Sequence, residues 1–239
     1  MLVRFKVWGS LRFLSHAEMM KLFQRACVRA GVRVRYSEGH NPRPKMSLPL
    51  PKTVGVEADD DLLSLQLDGP WSSFDAGQFQ AKFSGQLPRG CEVLSVRAEK
   101  TKTSIQPVLA TYVFEPHPEW VDEQLKATIN RLLASESLVV ERHIDAKGNT
   151  RKLDVRGFLK SVRFEDDKPG PAILRSHEGK KGHLALLRNG CESRTRIVVE
   201  CKISPAGSIR IDEILKLLQL DPDKLAAPIR RASVQWQRA

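Results

Sequence analysis

The four cysteines of this 239-residue chain, Cys27, Cys91, Cys191 and Cys201, include no C-x-x-C pair. That absence argues against a zinc ribbon and against a disulfide framework, and leaves reduced thiols as the expectation. His177, His183, Cys191 and Cys201 are metal-ligating residue types, but their irregular spacing matches none of the usual zinc patterns. No metal and no cofactor are expected. No stretch approaches the roughly 18 apolar residues of a membrane span. The opening Met1-Leu2-Val3-Arg4-Phe5-Lys6 lacks the long apolar run of a secretory signal. A cytoplasmic protein without a membrane partner is therefore expected. Also missing are the phosphate loop G-x-x-x-x-G-K-[ST], the dinucleotide turn G-x-G-x-x-G, the nucleophile elbow G-x-S-x-G and the zinc helix H-E-x-x-H. Most common enzyme classes lose their usual signature.

Acids are scarce at one end. Residues 1–52 hold eleven Lys and Arg but only Glu18 and Glu38 as acids, which places +9 of the net +11 there. Basic patches attract polyanions through local clustering, so the field belongs to one end of the chain. The content, 41% hydrophobic and 28% charged, is that of a folding globular chain.

Val3, Phe5 and Val7 alternate with Arg4 and Lys6, the period of a strand with one buried and one basic face. Ser15 and Glu18 form a capping box, and Gly31 sits where a helix ends, which predicts a helix over 16–30. Met19, Phe23, Cys27 and Ala30 form its apolar stripe, and Lys21, Arg25 and Arg29 recur every four residues on another side. Val32, Val34 and Tyr36 alternate with Arg33 and Arg35, predicting a second basic strand. Four prolines and a glycine over 37–53 exclude helix and predict a stiff extended loop. A strand at Leu63–Leu67, a helix over 72–86 with Phe79 and Phe83 stacked, and a strand over 91–96 complete a β-α-β-β-α-β order, that of a ferredoxin-like domain over 1–98.

Residues 98–109 read as a linker. A second α+β domain over 110–239 follows: strands at 110–115, 137–144, 151–164, 183–188, 194–203 and 229–236, and helices at 119–134 and near 209–219. The fold class expected is α+β, two ferredoxin-like or related antiparallel sheet domains with helices on one face. The second is read as a decorated copy of the first from element order alone.

The segment Tyr36-Ser37-Glu38-Gly39-His40-Asn41-Pro42-Arg43-Pro44-Lys45 sets polar and cationic side chains on a proline-stiffened loop, where little entropy is lost on binding. Arg43 is placed to grip a phosphate, and His40 and Asn41 to bond a base or sugar. Arg4, Lys6, Arg33 and Arg35 are expected on the open face of one sheet. The aromatic pattern of an RNA-recognition motif is absent, so backbone gripping is favoured over base stacking. Arg25, Arg29, Arg33, Arg35, His40, Asn41, Arg43 and Lys45 are the nucleic-acid-binding candidates. Two other readings stay open: a metal-independent ribonuclease with His16 or His40 as general acid or base, and a module that docks an acidic protein through the cationic helix. Arg151-Lys152-Leu153-Asp154-Val155-Arg156 reads as structural more than catalytic.

Phe13-Leu14-Ser15-His16, Arg25 and Arg29, the Tyr36–Lys45 segment and Leu50 through Gly55 together resemble the radical SAM-linked proteins, a domain of unknown function (DUF2344). The likeness is dense over 1–70. It thins to Lys152-Leu153-Asp154-Val155-Arg156 and the Gly207–Leu217 segment. His40 stands where an aromatic is usual, and Arg43 where histidine is often found. The resemblance implies a bacterial protein fused to, or encoded beside, a radical SAM enzyme, often near ribosome or RNA-processing genes. This chain lacks the C-x-x-x-C-x-x-C cluster signature, so the implied role is accessory: it binds tRNA or rRNA while a separately encoded radical SAM partner performs the chemistry.

Overall fold

The computed structural model describes residues 1–68, 75–99, 104–143, 148–167 and 194–238. The first half contributes β1 (Leu2–Val7), α1 (His16–Arg29), β2 (Met46–Ser47), β3 (Glu57–Leu65), α2 (Ala76–Ser84) and β4 (Cys91–Arg97). The second contributes β5 (Ile105–Phe114), α3 (Glu123–Ala134), β6 (Val139–His143), β7 (Thr150–Asp154), β8 (Leu159–Asp167), β9 (Arg194–Lys202), α4 (Ile211–Leu218) and β10 (Arg230–Arg238). One sheet runs in the order β4-β1-β3-β10-β5-β9-β8, with β2 also paired to β3, and β6 and β7 form a separate hairpin.

The order repeats. β4-β1-β3-β2 and β10-β5-β9-β8 are each the fourth, first, third and second strands of a β-α-β-β-α-β unit. Both halves are thus ferredoxin-like in topology, and the fold is α+β. They join edge to edge where β10 runs parallel to β3, Arg230 beside Glu57 and Arg231 beside Ala58. Register then fixes which face is covered. Val7 pairs with Ala58, Ala58 with Arg231, Arg231 with Tyr112 and Tyr112 with Val199, so these side chains share one face. Helices of both halves pack on that face.

The core has two parts. In the first, Val3, Phe5 and Val7 meet Met19, Phe23 and Cys27 of α1 and Phe79 and Phe83 of α2. The Phe5 and Phe23 rings meet edge to face at 4.8 Å, and Phe79 stacks on Phe83 at 5.3 Å. Each buried Phe or Met side chain contributes about 1.5–3 kcal/mol of transfer energy. In the second, Leu125, Ile129 and Leu132 of α3 and Ile214 and Leu218 of α4 close over Tyr112, Phe114, Ile197 and Val199.

Charges hold the seam on both faces. Under the helices, buried Arg231 bonds buried Asp61 and donates to the Pro51 carbonyl at 3.3 Å. On the other face Asp59 takes Lys6 at 3.1 Å and Arg230 at 2.7 Å, and Glu115 takes Arg230 at 3.8 Å and Arg196 at 3.1 Å. That chain of charges crosses β1, β3, β10 and β9.

Several boundaries differ from the sequence expectation. Residues 32–36 make only isolated bridges, Val34 to Leu67 past the end of β3 and Tyr36 to Pro44, where the proline has no amide to extend a ladder. Ile105–Leu109, expected as linker, is the first half of β5, paired with Arg238–Gln235. The strand expected over 151–164 breaks at a 3-10 turn, Arg156–Phe158. There Asp154 accepts from the Leu138 and Arg156 amides at 2.9 Å, which holds its carboxyl below the ordinary range. Arg156 donates to the carbonyls of Ser135, Leu159 and Leu133. The Asp154–Arg156 pair is therefore a corner brace. The strand expected at 183–188, and His177, His183 and Cys191, lie outside the described residues. No helix among the described residues is long and apolar enough to cross a membrane.

Candidate nucleic-acid interface

Helix α1 positions the first cations. Ser15 Oγ accepts the Glu18 amide at 3.3 Å, and the Glu18 carboxylate accepts the Ser15 hydroxyl at 2.7 Å and the Ser15 amide at 2.8 Å, two bonds that hold it below the ordinary range. At the other end the Val32 amide reaches the Cys27 carbonyl at 2.9 Å and the Gly31 amide the Val28 carbonyl at 3.1 Å. This is a Schellman stop, with Gly31 at φ +67°, a conformation that favours glycine. With Met19, Phe23, Ala26 and Cys27 buried, Lys21, Arg25 and Arg29 are left on the exposed side.

The chain then runs along the end of β3. Arg35 donates its amide to the Gln66 carbonyl at 2.7 Å and the Asp68 amide donates to the Arg33 carbonyl at 2.9 Å. Beyond it the loop folds back as an irregular hairpin: the Lys45 amide reaches the Arg35 carbonyl at 2.7 Å and the Ser37 amide the Arg43 carbonyl at 2.8 Å. Ser37 Oγ also accepts the Arg43 amide at 2.9 Å. This register sets Arg35 opposite Lys45 and Ser37 opposite Arg43. Alternation adds Arg33 to the same face, so Arg33, Arg35, Arg43 and Lys45 share it.

None of Arg25, Arg29, Arg33, Arg35, Arg43 and Lys45 forms an ion pair or side-chain hydrogen bond among the described residues. All are exposed except half-buried Lys45. The structure brings the six onto consecutive segments, with Glu38 the one acid between residues 21 and 45. His40 and Asn41 stand exposed at the loop tip.

One expectation is corrected. Arg4 and Lys6 do lie on the open face of the sheet, but Asp60 and Asp59 neutralise them. Arg33 and Arg35 flank Val34, which bridges Leu67 and packs with it against the core, so alternation turns both arginines to the open side beyond the end of β3. The open face is a field of mixed sign, and the free cations sit at its corner.

His16 and His40 are not joined by any contact among the described residues. His16, at the start of α1, accepts the Lys52 amide on Nδ1 at 3.5 Å. Lys52 itself went unrecognised in the sequence, where it counted as one more surface cation. It is buried, and its Nζ donates to the carbonyls of Arg12 at 3.0 Å, Thr53 at 2.8 Å and Val56 at 2.7 Å. Burial first, then the charge of Arg231, push it down to about 8 against the attraction of Asp61 and Glu57. Its one sequence signal is a lysine set in Leu50-Pro51-Lys52-Thr53-Val54, amid apolar and proline residues. No group of three His, Cys, Asp or Glu able to hold a metal occurs among the described residues.

Fold and site together define an α+β protein of two ferredoxin-like halves on one sheet, with cations that lack an ion-pair partner among the described residues concentrated at one corner. The chain belongs to a family described as an uncharacterized protein conserved in bacteria (DUF2344), whose model matches residues 1–192. That span includes the whole cationic corner and the Lys52 segment. No curated protein matches the sequence.

Proposed function

We propose that this chain binds RNA, gripping phosphates through Arg25, Arg29, Arg33, Arg35, Arg43 and Lys45. In this reading it is the accessory to a separately encoded radical SAM enzyme that acts in tRNA or rRNA modification or ribosome maturation. The observation that carries the RNA half is that these six cations have no ion-pair partner among the described residues, in a protein that pairs Arg4, Lys6, Arg142, Arg163, Arg196, Arg230 and Arg231 with carboxylates. Like charges gathered without acids repel one another, and a polyanion relieves that repulsion. Guanidinium groups on a braced hairpin match phosphate oxygens bidentately with little ordering cost. The radical SAM half is supported by the family likeness and the missing cluster signature.

Binding of bulk tRNA and rRNA across a salt series tests the first half. Six neutralised phosphates give a slope of log affinity against log salt of about −4 to −5. A flat dependence, or no binding, defeats it. Recovery of a radical SAM protein with the tagged chain from its native bacterium, surviving RNase treatment, tests the second.

A further inference from the structure

The seam holds a half-open cleft of about 740 Å³, bounded by the Leu50–Val56 segment, the start of α4 and the chain leading into β10. Its size is that of a small-molecule site. Leu50, Pro51, Val54, Ile209, Leu215 and Ile229 give it apolar walls. Its rim is cationic and aromatic: Phe13 is 58% exposed, and the Arg12 guanidinium lies 4.3 Å from the centre of its ring. Arg210 stands at the same rim in the cap position of α4, where it offers no acceptor to the helix's first amides. The interior is apolar apart from buried Lys52 and Arg231, and the mouth carries Arg12 and Arg210 beside the single acid Asp212; apolar walls under a mouth with net positive charge are the complement of a nucleotide, base in and phosphate out.

The cavity is also connected to the cationic corner. Lys21, Arg25 and Arg29 step back along the exposed side of α1, which spans about 20 Å, toward its first residue. That residue, His16, receives the amide of Lys52, a residue of the cavity wall, and Lys52 Nζ holds the Arg12 carbonyl. Helix α1 thus runs from the Arg33–Lys45 corner to the mouth of the pocket, with Lys21, Arg25 and Arg29 exposed along it and Glu18 the one acid on its first turn.

We propose that this cavity receives one unpaired nucleotide of the bound RNA, which enters past Phe13. The inference rests on the RNA-binding reading above and deepens it. RNA readers take unpaired bases onto aromatic side chains, and a base already outside a duplex costs least to seat. The sequence expectation of backbone gripping holds for the corner, and this site adds base contact at a second place.

The test compares a short RNA duplex carrying one bulged 2-aminopurine with the same duplex fully paired. The bulged RNA is expected to bind about tenfold tighter, the lower part of the range for one stacked base, with a change in 2-aminopurine fluorescence on binding. Phe13→Ala, at an exposed position, and Ala227→Trp, which fills the cavity, are expected to equalise the two affinities and leave the salt slope unchanged. Equal binding of both RNAs by the unaltered protein, or discrimination that survives both substitutions, overturns the pocket and leaves the corner standing. Failure to bind either RNA overturns both.

Discussion

The two halves share a strand order and differ in what they do with the second strand and with their arginines. In the second half that place is filled by the nine residues of β8, paired with β9 from Leu159 to Asp167. In the first half it is filled by two residues of β2, and the rest of the chain is spent on the Arg33–Lys45 corner. Carboxylates follow the same division. Arg142, Arg163 and Arg196 are held by Glu213, Glu200 and Glu115, while Arg131, Arg151, Lys152 and Lys202, scattered between them, form no ion pair among the described residues. Between residues 21 and 45 no cation forms an ion pair with an acid among the described residues. The same topology thus serves as a braced scaffold in one half and as a cationic surface in the other, because prolines cut the ladder and acids are withheld.

The largest effect that can sharpen this comparison lies at the seam. Asp61→Ala leaves Arg231 buried without its carboxylate and is expected to cost about 3–5 kcal/mol in denaturant unfolding. Asp59→Ala, on the more open face, costs about 1 kcal/mol. Equal costs would mean that the buried pair does not tie the halves together.

Lys52 comes next. Because its folded value is lowered to about 8, the unfolded chain binds more protons than the folded one from there up to the ordinary lysine value near 10.5. Stability from this group therefore rises with pH across that window, by on the order of 3 kcal/mol at most. The stability of the unaltered protein relative to Lys52→Met is expected to increase from the bottom of that window to the top. A constant difference would place the amine in water.

The smallest effect concerns thiols. Burial pushes Cys27, Cys91 and Cys201 up to about 12. All three are expected to resist iodoacetamide at mildly alkaline pH until the chain unfolds, read by mass spectrometry of the labelled peptides. Fast labelling of any one of them in the folded protein would show that its half opens locally.

Much of this was legible in the sequence where period and caps agree. The Val3–Val7 alternation, the Ser15–Glu18 box and the Gly31 stop gave β1 and α1, and the Phe79–Phe83 spacing gave the stacked pair of α2. The six corner cations were legible as residues because charge clustering is local. Their freedom from partners was not, since Arg4 and Lys6 looked the same until Asp60 and Asp59 arrived from β3. Val32 and Val34 have a strand's alternation, but Val34 meets only Leu67 just past the end of β3, and Pro44 opposite Tyr36 has no amide to carry the ladder on. Lys52 was hidden because a lysine's burial depends on carbonyls brought to it by tertiary folding. The seam joins Asp61 to Arg231 across 170 residues, which no local pattern reports.

The central claim is that the free cations of the first half, and not exposed cations in general, hold RNA. Its most direct test is the affinity for bulk tRNA of Arg33→Glu/Arg35→Glu/Arg43→Glu beside Arg151→Glu/Lys152→Glu, which reverses exposed cations on the β6–β7 hairpin that form no ion pair among the described residues. The first variant is expected to lose about a hundredfold or more, with a salt slope shallower by about 3, and the second to keep near-full affinity. Equal losses in both, or a loss confined to the hairpin variant, would contradict the account.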